Sequence, residues 1–250
     1  MRAAEPILMI GTSRARESGM GIDEVGADTD GLFVGALDEI GREDDGPVPC
    51  LVALHGRPTR HVFERAASLL GHEEPEQREL GARVLRELGA HDEEGRRPFT
   101  AETVEVVLAE IPSEPDAWVL GWLISVLGYH NARETLDLVL GHQAHAAQPV
   151  RFAVAAALPC LADPERAQDR VVEALLRLAE DGDDSVRWYA LYALFHEAAG
   201  VTGERKAAWA TALVGRGDAR RRAQLHHLGT TFGDGADSGL REALGRERGV

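Results

Sequence analysis

Residues 147–163 read AQPVRFAVAAALPCLAD, and the spacing inside this stretch decides the fold. Counting from Arg151, apolar residues fall three, four, seven and ten positions on, at Val154, Ala155, Leu158 and Leu161. Side chains at those intervals share one face of an α-helix, so the stretch reads as amphipathic and helical. Four further segments fit the same template of a proline or acid, an arginine, then small or apolar residues. EPEQRELGARVLRELG (74–89) is anchored at Arg78, with Gly81, Ala82, Leu85 and Leu88 on one face. EPDAWVLGWLISVLG (114–128) is anchored at Ala117, with Leu120, Gly121, Ile124 and Leu127. DDSVRWYALYALF (183–195) is anchored at Arg187, with Ala190, Leu191 and Leu194. DARRRAQLHHLG (218–229) is a worn copy anchored at Arg221, with Leu225 and Leu228.

The anchors stand 39, 34, 36 and 34 residues apart, an interval that holds one helical hairpin and two short loops. The spacing predicts a second helix in each interval: Thr100–Ile111, Arg133–Leu140, Arg166–Leu178 and Glu204–Val214. Arg60–Leu70 is the equivalent partner upstream, and Leu32–Ile40 with Pro49–His55 form a divergent capping hairpin. A hairpin cannot cover its own apolar face, so successive hairpins must stack into a continuous core. Small residues such as Gly81, Ala82, Gly121, Ala155 and Ala190 mark where neighbouring helices approach closely. Glu74, Asp116 and Asp184 stand where free backbone N–H groups open a helix.

The motif DPxxR followed by paired small residues and a leucine resembles HEAT repeats, including the short bacterial HEAT-like form. The matching stretches are 74–89, 147–163 and 183–195, and the resemblance spans roughly residues 59–245. It implies an all-α fold: a right-handed α–α superhelix of about five or six hairpins, a HEAT-like or armadillo-like solenoid with no sheet. The segment around Trp118 departs from the pattern by lacking the arginine. We therefore expect an irregular arm at 1–30, one repeat domain at 31–245 and a short tail at 246–250.

Composition narrows the function classes. The chain is 44% apolar and 5% aromatic, enough to bury a core of thin helical layers. Its formal charge of −15 argues against a general phosphate-backbone binder and against an anionic membrane surface. We expect no nucleic-acid partner, no membrane association and a cytoplasmic protein. Cys50 and Cys160 form no CxxC unit and sit in apolar surroundings, as structural thiols do.

Motifs for chemistry are sparse. His72-Glu73 and His196-Glu197 are His-Glu pairs of the kind a HEAT-like di-iron hydroxylase carries, but they occupy different template positions. GxxxxGK[ST] and HExxH are absent, and the glycines of residues 11–26 do not follow a strand-to-helix pattern. HEAT-like scaffolds also include glycosylases for alkylated DNA bases, which need a basic groove. The second helices here instead carry Glu102, Glu105, Glu110, Glu134, Asp137, Asp169 and Glu173. We expect no catalytic residues and no cofactor.

HEAT proteins are mostly scaffolds and adaptors whose concave face is lined by second helices. The resemblance thus implies a protein- or peptide-binding module, and its acidic residues favour a basic partner segment. The alternative is an enzyme built on the same scaffold. A second candidate surface is aromatic. Positions one and five after the anchors place Trp118 and Trp122, Phe152, and Trp188 and Tyr192 in one column across three repeats. That column is either packing between first helices or an exposed binding strip.

Overall fold

The computed structural model describes residues 29–42 and 46–216, with positions 223, 224 and 227. Among the described residues the regular structure is entirely helical. The fold is all-α, as the 3.6-residue periodicity requires. Positions 1–28, most of the worn segment at 218–229 (with its anchor Arg221) and the tail at 246–250 lie outside the described residues. Two residues assigned to the arm, Thr29 and Asp30, open the first helix. The chain divides into two compact units, Met1–His130 and Asn131–Val250.

In the first unit, α1 (Thr29–Gly41) packs on α2 (Pro49–His55), α3 (Arg60–Leu69) on α4 (Pro75–Glu87), and α5 (Thr100–Glu110) on α6 (Ala117–Tyr129). Helix α4 is the hub, lying against α1, α2, α3 and α6. Phe33, Leu54, Val62, Ala66, Leu85, Val107, Ile124 and Leu127 are buried between these layers. Each large aliphatic side chain taken out of water contributes about 1.5–3 kcal/mol. Helix α6, AWVLGWLISVLGY, is apolar on every side and is buried from Val119 to Gly128, as a helix with neighbours all round must be.

Gly81 shows why the template wants a small residue. A Cβ at this position would lie 2.6 Å from the Ala66 carbonyl oxygen of α3. Only glycine lets the two backbones come so close. Helix α2 lacks a capping side chain of its own. Instead buried Glu39 of α1 accepts the N–H groups of Cys50 and Leu51 at 2.8 and 3.0 Å. That carboxylate satisfies two of the orphan donors at the start of the helix.

In the second unit, α7 (Leu136–Gly141), α8 (Gln148–Leu161), α9 (Asp169–Leu178), α10 (Asp184–Tyr192) and α11 (Gly203–Arg216) follow in order. Helix α8 packs against α7, α9 and α10. Its Phe152, Val154, Ala155, Leu158 and Leu161 are all buried. Ala193–Glu197 continues α10 as a π-helical turn, closed by Ala198 N–H to Ala193 O at 2.8 Å.

Several boundaries differ from the sequence reading. The segment expected as one helix at Arg133–Leu140 is a 3₁₀ turn, Arg133–Thr135, followed by α7. Helix α9 starts at Asp169 rather than Arg166, because Asp163 holds the preceding loop by accepting Glu165 N–H and Arg166 Nε. The cap of α10 is Asp183, which accepts from Ser185 and Val186 at 2.9 and 3.2 Å, and not the expected Asp184. Asp184 pairs instead with Arg187.

The second repeat is also out of register with the template. Arg78, Arg151 and Arg187 each occupy the fourth position of their helix, whereas Ala117 is the first residue of α6. Asp116 fixes that start by accepting Trp118 and Val119 N–H at 2.8 and 3.0 Å. The true equivalent of the arginine is Leu120. Counting from it gives Leu123, Ile124 and Leu127, an equally apolar stripe, so periodicity alone could not separate the two registers.

Candidate interaction face

The signature arginines are structural clamps. Arg78 donates one terminal N–H group back to the carbonyls of His72 and Glu73 at 2.9 and 2.8 Å. Its Nε and other terminal nitrogen grip Glu114 at 2.8 Å each. Glu114 in turn accepts Asp116 N–H at 2.9 Å, in the turn that opens α6. Arg151 repeats the arrangement, donating to the His145 and Ala146 carbonyls and to both oxygens of Asp181. Asp181 accepts Asp183 N–H at 2.9 Å, in the turn that opens α10. Each arginine thus holds its own entry loop and that of the next first helix. Paired, planar donors suit a guanidinium and would not suit lysine.

The second-helix residues do not form an uncompensated acidic stripe. Glu102 pairs with Arg60 of α3, Asp137 with Arg170 of α9, and Asp169 with Arg205 of α11. All of these pairs are solvent-exposed and add little stability, yet they neutralise three of the seven expected acids. Glu105, Glu134 and Glu173 are exposed on α5, on the 3₁₀ turn before α7 and on α9. Between α9 and α11 of the second unit lies an open cleft of ≈ 260 Å³ lined by Leu176, Arg177, Glu180, Trp209, Ala212 and Leu213. The Arg205 guanidinium lies over the Trp209 ring at 5.3 Å. Periodicity marks Trp209 only as part of a helix, so the cleft was not legible in the sequence.

The aromatic column resolves into two sets. In the first unit Trp118 and Trp122 meet edge-to-face at 6.4 Å; Trp122 is buried and Trp118 half-buried. The three-residue register shift means that they occupy other template positions than Phe152 and Trp188. In the second unit Phe152 is core, and its ring partner is Tyr189 at 5.2 Å rather than Trp188. Trp188 and Tyr192 stack in parallel at 5.6 Å and are both half-buried. Among the described residues the large apolar side chains that stand exposed are Val34 and Val52, not rings.

Burial moves three titratable groups well away from their ordinary values. Burial, with the nearby Glu197 charge, pushes the Cys160 thiol up to about 11. Burial also raises the Glu197 carboxyl to about 7. His130, buried at the end of α6, is pushed down to about 4 by desolvation. Its Nε2 meets the Leu85 carbonyl at 3.0 Å and must donate, which leaves Nδ1 as the acceptor, 3.0 Å from a Thr100 hydroxyl that also reaches the Arg97 carbonyl at 2.8 Å. Among the described residues no group of three or more His, Cys, Asp or Glu side chains is placed to hold a metal ion. Within the same residues no helix is long and apolar enough to cross a membrane.

No family model matches the chain, and no curated protein sequence does. The solved structures similar to it include two that align over most of the chain. One is an engineered protein, 18% identical, covering 90% of this chain and 93% of that one with a TM-score of 0.46. The other is the complex of CpcE and CpcF of phycocyanin lyase from Nostoc sp. PCC7120, 16% identical, with coverage of 87% and 81% and a TM-score of 0.45.

Proposed function

We propose that this chain is a HEAT-like interaction module that binds a protein or peptide through its second-helix face and has no catalytic role. The observation that carries the reading is the cleft between α9 and α11. There an apolar floor of Leu176, Trp209 and Leu213 lies beside Glu180, just past the end of α9, with Glu173 exposed on α9. An apolar anchor seated on Trp209 and a basic neighbour facing Glu173 or Glu180 would use both features at once. Half-buried tryptophan makes an effective binding anchor, and the acids would steer a cationic segment and select against an acidic one.

The test is affinity capture from the source cell at low and high salt, repeated with a Glu173→Lys, Glu180→Lys double variant. The reading expects a partner with a basic segment, retained by the wild type and weakened by both salt and charge reversal. A captured partner that is indifferent to both changes would reject this face.

A further inference from the structure

The first unit concentrates cationic side chains where a chain of charge −15 would least be expected to. Arg83 and Arg86 of α4 both lie over the Trp122 ring at 4.8 Å. Arg86 also lies 4.3 Å from the Tyr129 ring, and Arg97 of the following loop 6.0 Å from it. The arginines are substantially buried: the Arg83 and Arg86 side chains are 22% and 13% exposed. Glu79 pairs with Arg83, and Glu87 pairs with Arg86. Three guanidinium groups against two carboxylates leave one positive charge.

The hydrogen bonds are also incomplete. Arg86 Nε, Arg97 Nε and the Trp122 indole nitrogen are buried N–H donors with no acceptor. Trp122 itself is only 6% exposed. An aromatic face offsets a guanidinium's charge, but it does not give each N–H an in-line acceptor. A buried donor left unmade is costly, so a cluster of them is not expected by chance. His55, His91 and His130 are all held below the usual imidazole range, first by burial and further by the arginine charges. Neutral histidines neither add to the cluster's charge nor offset it.

We propose that Arg83, Arg86 and Arg97, with the Trp122 indole N–H, form a binding site for a small singly charged oxyanion, a carboxylate or phosphate group. Such a ligand would supply both what the cluster lacks: one negative charge and several lone pairs in the plane of the guanidinium donors. The site belongs to the first unit and is independent of the cleft between α9 and α11.

The experiment is thermal unfolding of the full chain in inorganic phosphate, acetate or chloride at one pH and ionic strength, alongside the indole N–H resonances by ¹⁵N NMR. The expected result is a saturable rise in midpoint of about 2–4 °C with phosphate or acetate over chloride, and a shift of the Trp122 indole signal. Whichever anion acts identifies the chemistry. Arg86→Lys keeps the charge but loses the planar fork, and should abolish the anion-specific rise. Trp122→Phe, which removes the indole donor and keeps a ring, serves if Arg86→Lys does not fold. Phosphate and acetate indistinguishable from chloride, or a wild-type response in these variants, would overturn the proposal.

Discussion

Arg151 and Asp181 meet through two parallel hydrogen bonds, 2.7 Å from Nε and 2.9 Å from a terminal nitrogen, joining the start of α8 to the turn before α10. The side chains are 18% and 9% exposed, so the pair is largely removed from water. The guanidinium beside Asp181 holds its carboxyl below the usual carboxylate range, against the opposing effect of burial. This contact gives the signature arginine of the repeat a mechanical meaning.

Removing one partner should therefore be expensive. Asp181→Ala leaves Arg151 with no carboxylate and is expected to lower unfolding free energy by about 2–3 kcal/mol. The exposed Arg166–Asp163 pair is the control: Arg166→Ala should change stability by less than about 0.5 kcal/mol. Urea titration with an unchanged slope measures both. Equal effects would show that the clamp is no more than a surface ion pair.

Much of this architecture was legible in advance, because helical periodicity and close-packing glycines are local signals. Pro49–His55 is helical over the residues the apolar run marked, and the expected approach at Gly81 is seen in its contact with Ala66 O. The register of the second repeat was not legible, since α6 is apolar on every side and an anchor at Ala117 or at Leu120 yields the same stripe. Most of the acids do lie on second helices, but Glu134 falls on the 3₁₀ turn before α7. Their arginine partners sit about one repeat away in sequence, as with Asp137 and Arg170, and only the stacking brings them together. Tyr189 and the Arg83–Trp122–Arg86 cluster depend on tertiary contacts that no spacing rule encodes.

Gly81→Ala is expected to destabilise the first unit by about 1–3 kcal/mol, because its new methyl group must displace backbone. Ordinarily a helical Gly→Ala change stabilises by up to about 1 kcal/mol, so the sign is the test. A rise in unfolding midpoint would contradict the close approach of α3 and α4.

Two buried groups should give opposite pH dependences. His130 has a folded value of about 4 against an ordinary 6.5. Its contribution is complete above 6.5 and is lost as pH falls towards 4, since the unfolded state then binds the proton first. Glu197 is raised to about 7 from 4.5. The folded state holds its proton more tightly, so its contribution is complete below 4.5 and is lost as pH rises towards 7. Each is on the order of 3 kcal/mol at most. Glu197→Gln should therefore remove the loss on the alkaline side, and His130→Gln the loss on the acid side. Stability–pH profiles that coincide with wild type for both variants would reject these environments.

The two aromatic sets should separate by truncation. Phe152→Ala opens a hole in a fully buried site and is expected to cost about 3–5 kcal/mol. Trp188 has a half-exposed ring stacked on Tyr192, and Trp188→Ala should cost roughly half as much. Chemical unfolding decides this, and a larger loss at Trp188 would place it in the core.

The most direct test of the second-helix reading is a fluorescence titration with a synthetic peptide carrying one central leucine flanked by arginines. Wild-type protein is compared with Trp209→Phe, so that the difference isolates the Trp209 ring from the three other tryptophans. The account predicts a saturable change that is absent from Trp209→Phe and weakens with rising salt and with Glu173→Lys or Glu180→Lys. No saturable change in the wild type, or one that survives Trp209→Phe and is insensitive to salt and charge reversal, would contradict it.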